Sequence, residues 1–174
     1  MSTRILQKSR ERSRNEATEL LQLFFAAELL CPSKTLWIVS PWLRNIELFD
    51  GTTGAFSDLF PDAPRRMIRL TDVLRSLLVA GSRIVLVVRA PRDDGGVGVH
   101  LAEVARGLGR ASQLSVVDHP NVHSKGLLGD HAAVTGSMNV THAGVGSHTE
   151  LLQFITDNDT LAKLRLPFSG AYGR

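Results

Sequence analysis

Cysteine is all but missing from this chain: Cys31 is the sole one among 174 residues. A lone thiol excludes an internal disulfide framework and any cysteine-built zinc finger, and it fits a reducing compartment. Set in an apolar stretch, it reads as core. Long apolar runs are missing too. The most apolar stretch, Leu20 to Leu30, is broken by Gln22 and Glu28 and falls short of the roughly 20 residues that a membrane span needs. The N-terminus is basic and then polar to about Asn15, unlike an apolar signal core. A cytoplasmic protein with no membrane partner is expected. Internal repeats and low-complexity tracts are also absent. Apolar and charged fractions of 43% and 21% are ordinary for a globular chain, which excludes disordered and fibrous classes.

Excess charge is slight, +3 at neutral pH, but it is unevenly spread. Arg4, Lys8, Arg10, Arg12 and Arg14 crowd the N-terminus, and Arg65, Arg66 and Arg69 form a second cluster. Such patches suit a polyanion such as nucleic acid. They equally describe a solvated arm and a solvated helix end. The expected organisation is a basic arm over residues 1–14 and a single domain over 15–174, long enough to bury a core.

Apolar periodicity predicts an amphipathic helix from Asn15 to about Leu30, ended by Cys31-Pro32-Ser33. Thr35 to Trp42 reads as a buried strand. Leu43 to Pro64, with Asp50-Gly51, Gly54 and two prolines, reads as a long irregular excursion. A helix capped by Thr71 and running to Ala80 follows, then a strand at Arg83–Val88 covered on both faces. Asp93-Asp94-Gly95-Gly96 is a turn without the dinucleotide-binding arrangement. Beyond it come a helix at Val99 to Leu108 and a strand at Gln113 to Val117. This alternation predicts an α/β sheet with crossover connections. His123 to Leu128, Ala132 to Thr135 and Leu151 to Ile155 then read as strands, the first two joined without a helix, so a hairpin extends a mixed sheet. The tail from Asp159 reads as helix as far as Pro167.

The chemistry concentrates between Asn121 and Glu150. His123 and Lys125 are two apart on an expected strand, so both side chains leave one face. An imidazole beside a fixed ammonium is what a phosphate needs. Asp130 follows at the hairpin turn. Ser137 and Asn139 again share a face, and their hydroxyl and amide can donate to phosphate oxygens. Glu150 opens the last strand, where a carboxylate can accept the second imidazole N–H and orient the ring.

H-x-K-x4-D followed by G-S-x-N resembles the signature of the phospholipase D superfamily, matched at His123, Lys125, Asp130, Gly136, Ser137 and Asn139. The first half alone would arise by chance in about 1% of chains this long, and the second half lowers that by a further factor of hundreds. Glu150 falls where the small bacterial nucleases of that family carry a glutamate. The resemblance implies a phospholipase D-like mixed β-sheet flanked by helices, in a single domain. It also implies a metal-independent phosphodiesterase, a nuclease working through a phosphohistidine on His123, with neither metal nor cofactor. Lys125, Ser137 and Asn139 would bind the phosphate, Glu150 would hold the imidazole tautomer, and Asp130 would act structurally. Family members usually carry two such motifs in one chain. This chain carries one, so a homodimer is implied, with two copies of His123 flanking one phosphate. The chain also looks like phospholipase-D-like components of phage-defence and DNA-modification clusters, which implies defence-system partner proteins.

Two other readings stand beside the nuclease: a phospholipid phosphodiesterase, and a non-catalytic nucleic-acid-binding subunit of a defence complex. No amphipathic segment with a basic face supports the first, and the intact motif argues against the second. His119, His131, His142 and His148 match no zinc-ligand spacing and read as turn or groove residues. Trp37 reads as core, and core is preferred for Trp42 as well. The other reading of Trp42 stacks it on a base, with Arg44 on a phosphate.

Overall fold

The computed structural model describes residues 3–7, 14–60, 65–146 and 150–172. The chain runs β1 (Thr3–Gln7), α1 (Arg14–Leu30), β2 (Thr35–Val39), β3 (Glu47–Asp50), β4 (Met67–Arg69), α2 (Leu70–Val79) and β5 (Arg83–Val88). It continues through α3 (Val97–Gly107), β6 (Leu114–Asp118), β7 (Gly126–Leu128), β8 (Ala133–Gly136), α4 (His142–Gly146), β9 (Leu151–Ile155) and α5 (Asn158–Tyr172). Among the described residues seven strands form one sheet in the order β1-β9-β8-β7-β2-β5-β6. β2, β5 and β6 are parallel and are joined through α2 and α3. A parallel connection needs such a crossover, whereas the antiparallel pairs from β7 onward do with tight turns or returns.

Alternation along the central strands builds two cores. Leu36 and Ile38 of β2, with Ile84, Leu86 and Val88 of β5, face one side and pack with Leu21, Phe24 and Phe25 of α1, Leu74 and Leu77 of α2, and Leu101 of α3. Trp37, Val39, Val85 and Val87 face the other side, against Leu161 and Tyr172 of α5. Both faces are therefore covered, which is why Arg83–Val88 reads as continuously apolar.

The differences from the expected elements have physical causes. The stretch read as a basic arm contains β1, an edge strand paired antiparallel with β9. Its five residues are too few to declare a period, and the ladder of β9 supplies what the pattern lacks. The excursion at Leu43–Pro64 contains β3, which pairs with β4 as a separate antiparallel ribbon. Leu48 and Phe49 are buried there, so that part of the excursion belongs to the core. Thr71 lies inside α2 and is buried. The Asp72 carboxylate instead accepts the Arg69 N–H at 2.8 Å at the start of the helix. α5 runs through Pro167. Its stripe Leu161, Leu164, Phe168 and Tyr172 packs against the sheet, and this packing offsets the hydrogen bond that a proline removes.

Candidate active site

The strand register gathers one row of residues at the C-terminal ends of the parallel strands, where open α/β sheets bind ligands. Val39 of β2 pairs with Gly126, and Gly126 pairs with Thr135 of β8. Lys125, one residue before β7, therefore lies between Ser40 and Gly136. Gly136 pairs with Leu152 of β9, which brings Glu150 and Leu151 into the same row.

β7 starts at Gly126, so His123 and Lys125 lie on the loop before it and not on the strand itself. Two contacts fix that loop. Val122 is buried in the second core and donates its N–H to the His119 carbonyl at 2.8 Å. Lys125 Nζ donates to the His123 carbonyl oxygen at 2.7 Å. His123 itself is exposed. No hydrogen bond or ion pair engages its ring among the described residues.

Across β8, Gly136 (φ +151°) meets the Leu151 backbone so closely that a Cβ would stand 2.0 Å from the Leu151 oxygen. A glycine is thus required where the chain turns out of the strand. Ser137 follows, its N–H donating to the Leu151 oxygen at 3.1 Å. Its hydroxyl donates to the Glu150 carboxylate and accepts the Leu151 N–H at 3.0 Å. Glu150 is 8% exposed, so this hydroxyl partners a buried carboxylate. The structure thus brings Glu150 to Ser137 and not to the His123 ring. Met138 is buried in the first core.

Asn139 Oδ1 lies 3.5 Å from Ser40 Oγ. Ser40 also donates to the Trp42 carbonyl at 2.6 Å and accepts the Val140 N–H at 3.0 Å. A hydroxyl carries one proton, and the shorter contact takes it, so Asn139 is only loosely held. Ser40 was not singled out by the sequence. A serine ending an apolar strand just before proline was the available signal.

Asp130 stands at the opposite end of β7, in the turn to β8. Its Oδ2 accepts the Lys34 N–H at 2.7 Å, and its Oδ1 lies 3.7 Å from Arg165 Nη2. The same guanidinium donates to its carbonyl at 2.5 Å. Beneath this turn lies Glu28, 1% exposed, which accepts from Ser33 Oγ at 2.8 Å and Ser33 N at 3.2 Å. Burial pushes its carboxyl above the usual range, against the lowering effect of Ser33. Gly129 has no room for a side chain, because a Cβ would stand 2.1 Å from Glu28 Oε1.

The remaining expectations resolve individually. His119 packs edge-on against Tyr172, ring centroids 5.6 Å apart. His131 Nε2 lies 3.3 Å from the Cys31 sulfur, and Cys31 is exposed, not core. His142 opens α4, and His148 lies outside the described residues. No group of three metal-ligating side chains forms among the described residues. Arg66 pairs with Asp72 at 2.7 Å and Arg69 with Glu47 at 2.8 Å, so much of the second basic cluster is locally neutralised. Lys8, Arg10 and Arg12 lie outside the described residues. Trp37 is core, but Trp42 is 37% exposed, because the chain leaves the sheet at Ser40–Pro41. Arg44 turns inward, donating to the Leu43 and Asp93 carbonyls at 2.6 and 2.7 Å.

No family model and no curated protein matches the chain in sequence. Solved structures do. NucT from Helicobacter pylori superposes with a TM-score of 0.58 at 11% identity, over 97% of this chain and 94% of that one. Nuc from Salmonella typhimurium, a phospholipase D family member, gives 0.54 at 14% identity, over 98% and 93%. Phosphatidylserine synthase from Haemophilus influenzae gives 0.59 at 17% identity, over 98% of this chain and 38% of that one. None of the described helices is long and apolar enough to cross a membrane. The chain has the phospholipase D-like fold, a mixed sheet flanked by helices, and bears at the mouth of that sheet His123, Lys125, Gly136, Ser137 and Asn139 of the motif by which its sequence resembles the superfamily, with Asp130 at the other end.

Proposed function

We propose that the chain is a metal-independent phosphodiesterase that cleaves DNA or RNA at a site shared by two copies of itself. The observation that carries this reading is the row at the sheet mouth: an exposed His123 whose carbonyl accepts from the Lys125 ammonium, with Lys125 between Ser40 and Gly136. Nε2 of one His123 attacks phosphorus in line, and the P–O bond to the leaving group breaks. The protonated His123 of the second copy gives its proton to the departing oxygen. The same imidazole then takes a proton from water, which attacks phosphorus and releases the first histidine. Lys125 from both copies and the Asn139 amide stabilise charge on the non-bridging oxygens. Lysine supplies the positive charge that a divalent ion supplies elsewhere. Ser137 joins them by turning its hydroxyl from Glu150 to the phosphate. Glu150 lies within the same row and would orient the imidazole once substrate redraws these bonds.

Cleavage of single- and double-stranded DNA and RNA in excess EDTA, comparing wild type with His123→Ala, tests the reading. Cleavage that survives the chelator and vanishes in the variant is the expected result. No cleavage of any nucleic acid, with the variant indistinguishable, would overturn it and direct the search to phospholipid diesters or to a binding subunit.

A further inference from the structure

We propose that Trp42 and Arg89 form a stacking subsite for an unpaired nucleobase at the edge of the phosphate site. The inference rests on the nucleic-acid reading above and deepens it, selecting single-stranded or locally opened substrate.

The Arg89 guanidinium lies over the Trp42 ring, 4.5 Å from its centroid. Arg89 Nε donates to Asp93 Oδ2 at 3.0 Å. The Asp93 side chain is only 11% exposed, while that of Arg89 is 41% exposed. The guanidinium is thus anchored by a buried carboxylate, while it and the indole both stay partly open to solvent. A large aromatic ring left 37% exposed loses hydrophobic stabilisation. Fixing an arginine over it by a carboxylate preorganises a planar platform.

Position links this platform to the chemistry. Ser40 Oγ donates to the Trp42 carbonyl at 2.6 Å and lies 3.5 Å from Asn139 Oδ1. The Arg89 N–H donates to the Pro41 carbonyl at 3.2 Å, and Arg44 N to the Val140 carbonyl at 2.8 Å. The main chain that carries the Trp42 ring is therefore tied through one hydroxyl to the Asn139 side chain, at the end of the Gly136–Asn139 turn. A base attached to the sugar beside a phosphate bound there can reach the stack. Bases stack on indole and guanidinium faces whatever their identity, and a base in a duplex does not offer its face. The subsite accordingly discriminates by strandedness rather than by sequence.

The test compares a short oligothymidylate with a strand of equal length whose sugars carry no bases. Trp42 and the buried Trp37 are the chain's two tryptophans, so intrinsic fluorescence reports the exposed ring. Expected are quenching by the base-bearing strand and not by the abasic one, and loss of that quenching in Trp42→Ala. Trp42→Ala and Arg89→Ala each weaken binding of the base-bearing strand roughly tenfold and leave abasic binding unchanged, while Trp42→Tyr restores most of the loss. Equal weakening on both strands, or none on either, would overturn the subsite. So would wild-type fluorescence that responds alike to the two strands or to neither. If the wild type binds with base selectivity but cleaves nothing, the nuclease reading falls and the subsite stands. If it cleaves oligothymidylate and both variants match it in every measurement, the reverse holds.

Discussion

Ser137 gives its hydroxyl proton to the Glu150 carboxylate while accepting the Leu151 N–H at 3.0 Å. One small side chain thereby ties the end of β8 to the start of β9 and gives a buried acid a hydrogen-bond donor. Ser137→Ala removes this hydroxyl donor from a buried acid, at a cost of about 1–3 kcal/mol. A lower denaturation midpoint with a loss of kcat smaller than that of His123→Ala is expected. Urea titration and single-turnover cleavage on the same preparations check it. Unchanged stability with activity lost outright would make Ser137 a phosphate ligand first and an anchor of Glu150 second.

A site that needs two copies of His123 has a quantitative signature in mixtures. If wild-type and His123→Ala chains are unfolded together and refolded in set ratios, the proportion of wild-type pairs follows the square of the wild-type fraction. Cleavage rates at fixed total protein should follow that square. A linear fall would mean that each chain acts alone. His123 is exposed, so its replacement leaves the fold intact, and His123→Ala alone should lower the rate on the order of a thousandfold or more.

Asp130 belongs to the sequence motif but stands at the far end of β7 from His123. It accepts the Lys34 N–H at 2.7 Å and lies 3.7 Å from Arg165. The ion pair is long, at 3.7 Å, and partly exposed, so it is worth little alone, and the hydrogen bond to the start of β2 carries most of the effect. Asp130→Ala should destabilise the chain by about 1–3 kcal/mol and leave kcat per folded molecule within a few-fold. Thermal melts and active-site-normalised rates separate the two. A variant that melts normally and has lost its turnover would return Asp130 to the reaction.

What the residues disclosed in advance follows from how local each signal is. Arg83–Val88 and Leu151–Ile155 emerge with the bounds read from the sequence, because a short, largely apolar run is a local signal. The motif could be read because its spacing survives any error in the strand ends, even though β7 begins only at Gly126. Pairings made at a distance could not be read. Thr3–Gln7 becomes a strand only on the edge of β9, and Arg165 finds Asp130 only after α5 folds across the sheet. Ser40 and Arg89 gain their roles from partners brought in by other segments, Asn139 and Trp42. Trp42 looked like the end of a buried strand because composition does not reveal where Pro41 takes the chain off the sheet.

Glu28 lies under the Gly129–Asp130 turn, 1% exposed, with Ser33 as its hydrogen-bond donor. Burial raises its carboxyl above the ordinary glutamate value; Ser33 opposes this, Asp130 adds to it, and His131 opposes it. The folded chain therefore holds this proton more tightly than the unfolded chain does. Stability from this group is complete below the ordinary glutamate pKa and is lost as pH rises through the raised folded value. Above that window an ionised acid is carried at a net cost. Glu28→Gln keeps an acceptor for Ser33 and removes the charge. It should raise the melting temperature by a few degrees near about pH 7 and flatten the fall of stability with pH above the glutamate range, while leaving the strand ends at the sheet mouth untouched. Melting curves of both proteins from mildly acid to neutral pH decide the matter. If Glu28→Gln melts lower at neutral pH, the bonds from Ser33 to the carboxylate outweigh its burial, and the ionised form is the one the fold was built around.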